Sequence, residues 1–248
     1  IAVTTVGVGT DYNEDLMARL AQKSDGNTYF VESSRDLPRI FSSELGDVLN
    51  VVATDVRLII TLPDGAEPLE IVGREGRIKG RTVTLGMNQL YGAQEKYALV
   101  RARVAGKAGG ARMTAATARV VYDNPFSKKR EKAHGTAHVT FSRDAQRVAS
   151  SVNVSVVREY QLNLNALAQE RAIELSDKGR KAEAVRALKQ SAAKLKSVGS
   201  AYGDRALMQQ AVEMESQADT LDREGMDKRS RKLMRTEAYQ MKNQQMKQ

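Results

Sequence analysis

The sequence contains no cysteine and no tryptophan, and it has only two histidines, four prolines and 5% aromatic residues. Without cysteine, disulfides, thiolate metal sites and cysteine nucleophiles are excluded. The two histidines, His134 and His138, leave little for acid–base catalysis or for a histidine metal site. The composition therefore argues against most enzymes, and we expect no catalytic residue in this chain.

Long apolar runs are also absent. The mean hydropathy is −0.47, and no stretch approaches the roughly 20 apolar residues that a membrane-spanning helix needs. The longest candidate, residues 56–62, contains Arg57 and is followed by Pro63. We expect no membrane-spanning segment. The chain begins without methionine or a recognisable signal peptide, so we infer that it is part of a longer protein whose compartment is unknown.

The net charge of +9 is distributed unevenly. Residues 1–50 carry −4, residues 51–150 carry +8 and residues 151–248 carry +5. These different characters support three structural regions, the last of which ends in a basic tail. We place the α/β region at 1–51, the all-β region at 52–148, the all-α region at 149–225 and a basic helical or disordered tail at 226–248.

Residues 1–51 show the pattern of a partial α/β unit. The segment 2–9 is short, uncharged and rich in β-branched residues, which is typical of a strand buried on both faces of a parallel sheet. A second short strand is predicted at 28–31. The order β-α-β-α predicts parallel strands with a right-handed crossover, and two such strands need further strands to complete a sheet.

The two predicted helices have clear start signals. Asp11 is placed to cap the first helix, with Glu14 three residues later, and Ser33 or Ser34 is placed to cap the second. Gly7 and Gly9 are interpreted as positions of close packing and a tight turn. The predicted apolar stripes are Leu16, Leu20 and Ala21 on the first helix and Leu37, Ile40, Phe41, Leu45, Val48 and Leu49 on the second.

Three motifs in this region resemble the C-terminal part of a bacterial von Willebrand factor type A (VWA) domain of the Ca-activated chloride channel homologue type. They are Thr5-Val6-Gly7-Val8-Gly9, the run from Asp25 to Phe30 and the run from Leu37 to Phe41. The resemblance implies a Rossmann-like fold, a protein–protein recognition or adhesion role, and an extracytoplasmic (periplasmic or cell surface) location. It also implies a divalent cation, Mg²⁺ or Mn²⁺, in the intact domain.

The residues that hold that cation in the family are missing from this sequence. The family uses a D-x-S-x-S motif with a threonine and an aspartate on later loops, and none of the aspartates here begins such a motif. Gly7 and Gly9 also fail as a dinucleotide loop, because Tyr12 occupies the position of the third glycine. We therefore predict no metal ligand, no cofactor-binding residue and no cofactor in this chain.

Residues 52–148 alternate with the period of strands and predict an antiparallel β-sandwich. His134 and His138 fall on one of these strands, where four residues span about 13 Å. Two rings so far apart cannot share one metal ion, so they are interpreted as exposed side chains. The basic run at 127–132 is expected at a hairpin tip. Nucleic-acid binding through this basic region is kept as a second alternative, although the chain lacks a stacking platform of aromatic side chains.

Residues 149–225 return to helical periodicity and predict a small bundle. The predicted stripes are Tyr160, Leu164, Leu167 and Leu175; Val185, Leu188, Ala192 and Leu195; and Leu207, Ala211, Met214, Ala218 and Leu221. Residues 177–188 resemble the helix–turn–helix of tetratricopeptide-type repeats. The tail after 226 is interpreted as a frayed basic helix.

Together these observations predict a non-enzymatic VWA-like interaction module whose metal-dependent site lies outside this chain. The expected partner is a protein ligand or a complementary N-terminal VWA segment. In this first interpretation the chain does not bind nucleic acid. The alternative is a helical assembly scaffold that binds a peptide or protein through residues 155–225.

Overall fold

The computed structural model describes residues 2–48 and 50–245. Contacts divide these residues into two compact units, one formed by residue 2 with residues 39–48 and 50–152, and the other by residues 3–38 with residues 153–245. No pattern in the sequence predicts that the first and last regions join, and the boundaries after 51, 148 and 225 stay predictions. No helix in the described part of the chain is long and apolar enough to cross a membrane.

The start of the chain forms the predicted parallel pair. Strand β1 (Thr5–Val8) is followed by helix α1 (Glu14–Ser24) and strand β2 (Thr28–Val31), and Thr5 pairs with Thr28 in the parallel register. Ser33 then caps a 3₁₀ turn that leads into helix α2 (Leu37–Val48). The mixed α/β character and the parallel strands are confirmed.

Two details of these helices differ from the prediction. The cap of α1 is Asn13, whose Oδ1 accepts a hydrogen bond from the Leu16 amide at 2.9 Å, and not Asp11. Helix α1 buries Ala18 and Ala21, whereas Leu16 and Leu20 are 61% and 47% exposed.

Helix α2 departs from its predicted stripe in a similar way. Ile40 is buried, but Phe41 and Leu45 are exposed. Leu49 and the side chain of Val48 lie outside what the structure describes.

The β-rich unit contains the antiparallel strands that the alternation predicts. Their described bounds are β3 (Val51–Thr61), β4 (Ala66–Val72), β5 (Arg77–Lys79), β6 (Thr82–Tyr91), β7 (Leu99–Val104), β8 (Arg112–Asn124) and β9 (Lys129–Thr140). Among the described residues β5-β6-β3-β8-β9 form one sheet and β4-β7 form another. Packing of the two sheets as a sandwich stays a prediction.

One face of the larger sheet forms the core of this unit. Val83 and Leu85 of β6 are almost fully buried, as is Val56 of β3. Each such side chain contributes about 1.5–3 kcal/mol by leaving water. Gly76 lies where β4 approaches β6, because a Cβ at this position would be 2.6 Å from Ile71 Cδ1 and 3.0 Å from Leu85 Cγ.

The remaining helices largely follow the predicted periodicity. They are α3 (Ala145–Ser150), α4 (Val154–Asp177), α5 (Lys181–Tyr202), α6 (Arg205–Glu224) and α7 (Lys228–Asn243). The predicted stripes of α5 and α6 are buried throughout. In α4 the buried face is instead rich in amides, including Asn163, Asn165 and Gln169, while Leu167 is exposed.

Helix α7 corrects the expectation of a frayed tail. It buries Lys232, Met234, Thr236, Ala238 and Tyr239, and it packs against α4, α1 and β2. Tyr239 packs against Ala18 and Ala21 of α1. The last part of the chain is therefore an integral helix of the same unit as β1 and β2.

Candidate interaction site at the parallel strands

The loop that follows β1 is shaped by two glycines. Gly9 has φ +70°, which is a conformation that favours glycine. A Cβ on Gly7 would lie 2.0 Å from Cζ of Tyr12, so only glycine lets this ring cross β1 without displacement. The interpretation of both glycines as packing and turn positions is confirmed. In open α/β sheets, the carboxyl ends of the strands are where ligands bind, so this loop is the first candidate site.

Lysines of α7 occupy that loop. Lys232 Nζ donates to Glu14 Oε2 at 2.6 Å and to the Tyr12 carbonyl oxygen at 2.9 Å, and it lies 4.6 Å from the centre of the Tyr12 ring. Lys232 is 3% exposed and Glu14 is 7% exposed, so this ion pair is buried. One turn earlier, Lys228 Nζ donates to Asp11 Oδ1 at 3.0 Å on the surface.

Two arginines of the same helix connect α1 to α4. Arg231 hydrogen-bonds Asp15 at 2.7 Å, Asp177 at 2.8 Å and also Glu14. Arg235 Nη2 lies 2.6 Å from Asp15 Oδ1. These arginines neutralise the carboxylates of the first turn of α1, which the helix dipole already favours. The result is a continuous ion-pair cluster that fixes α7 to α1 and α4.

The cluster shifts the titration of its carboxyl groups. Burial alone would raise the pKa of Glu14, but the hydrogen bonds from Lys232 and Arg231 outweigh burial and lower it. The same competition, with Arg231 and Arg235 as donors, lowers the pKa of Asp15. Burial, helped by the charge of Glu14, raises the pKa of Tyr12 to about 12. At neutral pH the carboxylates are therefore charged and the phenol is neutral.

In this structure these carboxylates form ion pairs with lysine and arginine side chains. Within residues 2–48 and 50–245, no group of three or more His, Cys, Asp or Glu side chains is arranged to hold a metal ion. The prediction that this chain supplies no metal ligand rests on the absence of the family's cation motif from the sequence, and it stays a prediction.

Side-chain amides of α7 and of the residues after it cover the outer edge of β2. The Thr28 amide donates to Gln245 Oε1 at 3.1 Å, and the Thr28 carbonyl accepts from Gln240 Nε2 at 3.0 Å. Tyr239 and Asn243 both donate to the Gly26 carbonyl. These groups take the place of a neighbouring strand at Gly26 and Thr28, so another strand cannot pair with the start of β2.

Among the described residues, no side-chain amide covers the outer edge of β1 in this way. The Thr5 amide donates to the Asn27 carbonyl and the Gly9 amide to the Val31 carbonyl, so these residues direct their amides towards β2. Because the direction alternates along a strand, Val6 and Val8 direct their amides to the opposite edge. Among the described residues β1 pairs with β2 alone. The parallel pair is thus closed on one edge and open on the other.

The residues singled out in the β region belong to the other unit. His134 and His138 lie on β9, an exposed strand, as the alternation predicts. The basic run begins in the turn between β8 and β9, where Ser127 Oγ and Tyr122 Oη bond Glu131 at 2.7 and 3.0 Å. The hairpin tip is confirmed.

The cations of α7 were not predicted from the sequence as functional residues. Lys228, Arg231, Lys232 and Arg235 recur at intervals of three and four, which places them on one face of a helix. That spacing is visible in the sequence. Their acidic partners, however, lie more than 200 residues earlier or on α4, and no local pattern indicates them.

Comparisons with known proteins place the fold. No protein-family model and no curated protein matches the sequence. Among solved structures the chain is similar to a von Willebrand factor type A protein from Catenulispora acidiphila (TM-score 0.67, 13% identity, 96% of this chain and 57% of that one). It is also similar to the ArnB paralog VWA2 from Sulfolobus acidocaldarius (0.55, 18%, 97% and 55%) and to the human COPII-coat protein Sec24c (0.58, 13%, 96% and 32%).

The chain therefore has a von Willebrand factor A-like fold. It spans about half the length of the first two structures and a third of the last. At these identities the likeness defines the fold alone.

Proposed function

We propose that this chain is the C-terminal part of a non-enzymatic, VWA-like protein-interaction module of the adhesion type. Its Mg²⁺- or Mn²⁺-dependent site is completed by residues outside the chain, and its location is extracytoplasmic. The observation that carries the proposal is the asymmetry of the parallel pair, in which α7 covers the edge of β2 while the edge of β1 stays open. VWA-like folds commonly mediate protein interactions, which supports the same conclusion.

The unit that contains the open edge also exposes apolar side chains. Leu16 and Leu20 lie four residues apart on α1 and are largely exposed, and Val8 at the end of β1 is 42% exposed. An open strand edge is a template for pairing with another polypeptide, and exposed leucines favour its docking. The partner that fits is a complementary VWA segment with strands of its own, whether in the same polypeptide or in a second one.

The docking part of the proposal is tested by the association state of this chain. Because edge and leucines are uncovered, we expect concentration-dependent self-association in sedimentation velocity. Replacing Leu16 and Leu20 together by glutamate should give a monomer. The matched control replaces Val148 and Val156, which are similarly exposed on α3 and α4, by glutamate and should associate like the parent. A parent chain that stays monomeric at all concentrations would contradict the open edge.

The adhesion part has a separate test. In a protein whose sheet is completed by the complementary segment, we expect ligand binding to require Mg²⁺ or Mn²⁺ and to be lost with EDTA. Binding that is indifferent to EDTA would reject the metal-dependent role and leave the docking edge unaffected.

The helical scaffold remains a second proposal, favoured by exposed apolar side chains on the α5–α6 hairpin. Val212 is 64% exposed and Tyr202 is 40% exposed. Deleting residues 155–248 cannot test it, because that deletion also removes α7 from β2. Val212→Asp should abolish capture of the protein ligand while the metal response persists; unchanged capture would reject the scaffold.

A further inference from the structure

The larger sheet of the β unit has one face that is not part of its core. In antiparallel sheets, residues directly opposite each other point to the same face, so the register gives the composition of each row. One face carries Val83, Leu85 and the other core residues. The opposite face, called here the threonine–cation face, consists of Lys79, Thr82, Thr61, Thr117 and Thr136; then Arg77, Thr84, Ile59, Arg119 and His134; then Gly86, Arg57, Val121 and Lys132.

The charge on this face has one sign. Its three rows contain four arginine or lysine side chains on β3, β5 and β8, one lysine and one histidine on β9, and no carboxylate. None of these cations forms an ion pair within the described part of the chain. By contrast, Arg101 and Arg103 on the smaller sheet are paired with Glu70 and Glu67. At the end of the face, Arg130 is already held by Asp123 at 2.8 Å and Asp55 at 2.6 Å.

The face is accessible. A Cβ on Gly86 would meet no heavy atom within 4 Å, and Arg57, Arg119 and Lys132 are exposed. At one side, Arg77, Lys79, Thr82 and Thr84 line an open groove of about 730 Å³ with Gly80. Five strands about 4.8 Å apart make the face about 19 Å wide, and four residues along a strand make it about 13 Å long.

We propose that the threonine–cation face binds an acidic polypeptide segment. Carboxylates of such a segment would pair with the arginines and accept hydrogen bonds from threonine hydroxyls such as those of Thr82 and Thr84. Half-buried Ile59 and Val121 lie between the cations, and an apolar centre with a polar, arginine-rich rim is typical of protein interfaces. The rows carry no phenylalanine, tyrosine or tryptophan to stack on bases, which disfavours single-stranded nucleic acid.

This inference goes beyond the proposed function, because it concerns residues 57–136 and needs neither a metal ion nor the edge of β1. The area is smaller than the roughly 800 Å² per partner of a standard interface, so the interaction should be weak and salt-sensitive.

The test is fluorescence anisotropy of the full chain with a labelled oligo-glutamate peptide at low and physiological salt. We expect binding that weakens with salt and that falls about tenfold or more in the variant Arg57→Glu/Arg119→Glu. The matched control, Lys194→Glu/Lys196→Glu, makes the same change in net charge on exposed positions of α5 and should bind like the parent. Arg57→Thr/Arg119→Thr, which keeps residues suited to strands, should also lose affinity while far-UV circular dichroism is unchanged.

Three results would overturn the proposal. One is the absence of peptide binding at low salt. Another is an equal loss of affinity in the α5 control, which would show that only total charge matters. The third is tighter binding of duplex DNA or of phosphatidylserine vesicles than of the peptide with the same dependence on Arg57 and Arg119, which would assign the face to those ligands.

Discussion

The buried ion pair between Lys232 and Glu14 should be a principal stabiliser of α7 on the parallel strands. Glu14→Gln leaves the Lys232 ammonium buried with the Tyr12 carbonyl and ring as its remaining partners. Removing one partner of a buried pair costs about 3–5 kcal/mol, and the remaining contacts place this variant near the low end, about 3 kcal/mol. Lys232→Met should cost about 2 kcal/mol, because Arg231 still bonds Glu14.

The double variant separates coupling from simple damage. With both charges removed, no unpaired charge stays buried, so Glu14→Gln/Lys232→Met should cost about 3 kcal/mol rather than the sum of the single changes. The coupling energy should then be about 2 kcal/mol. The assay is urea unfolding followed by far-UV circular dichroism, whose helical signal comes mainly from residues 153–245.

A control on the same helix sharpens this cycle. Lys228→Met removes a pair with the exposed carboxylate of Asp11 and should leave the unfolding midpoint unchanged. If the Glu14 and Lys232 single costs are additive, or if Lys228→Met is as destabilising as Lys232→Met, the buried cluster does not hold α7 in place.

Two other perturbations test the same region. Because the folded state lowers the pKa of Glu14 and Asp15, these carboxylates stabilise the fold fully above the ordinary carboxyl range near 4–4.5, and their contribution is lost as the pH falls through the lower folded pKa values. Amide exchange of α7 followed during an acid titration should therefore show that the helix is released below that range. Release that begins as the pH is raised would contradict this prediction. Gly7→Ala should destabilise the chain by about 1–3 kcal/mol, since the new Cβ would overlap the Tyr12 ring. Gly46→Ala is the control: this helical position is open, so the change should stabilise the chain by about 0.5–1 kcal/mol. Thermal unfolding that ranks the two variants in the opposite order would refute this packing.

Features that depend on local periodicity were predictable from the sequence. The strands of the β unit and the buried stripes of α5 and α6 follow from alternation and from steps of three and four, because these faces bury apolar side chains directly. The parallel order of β1 and β2 follows from the helix between them. The glycine at position 7 was assigned correctly because only a close approach explains it beside Gly9.

Features that depend on distant partners were not predictable in this way. Helix α7 has a sparse apolar face because it is held by ion pairs and amide hydrogen bonds to residues more than 200 positions away. Asp11 does not cap α1, because Lys228 bonds its carboxylate and Asn13 takes the cap. Leu16 and Leu20 are exposed because α1 turns its alanine face towards Tyr239.

The two unlike edges of the parallel pair are the basis of the proposed docking. Residue-resolved amide hydrogen exchange on the chain, diluted until it is monomeric, measures both edges at once. We predict rapid exchange at Val6 and Val8, whose amides point to the open edge, and slow exchange at Thr28, whose amide bonds Gln245. Protection of Val6 and Val8 equal to that of Thr28 would show that β1 is already covered, and would contradict the proposed docking of a complementary segment.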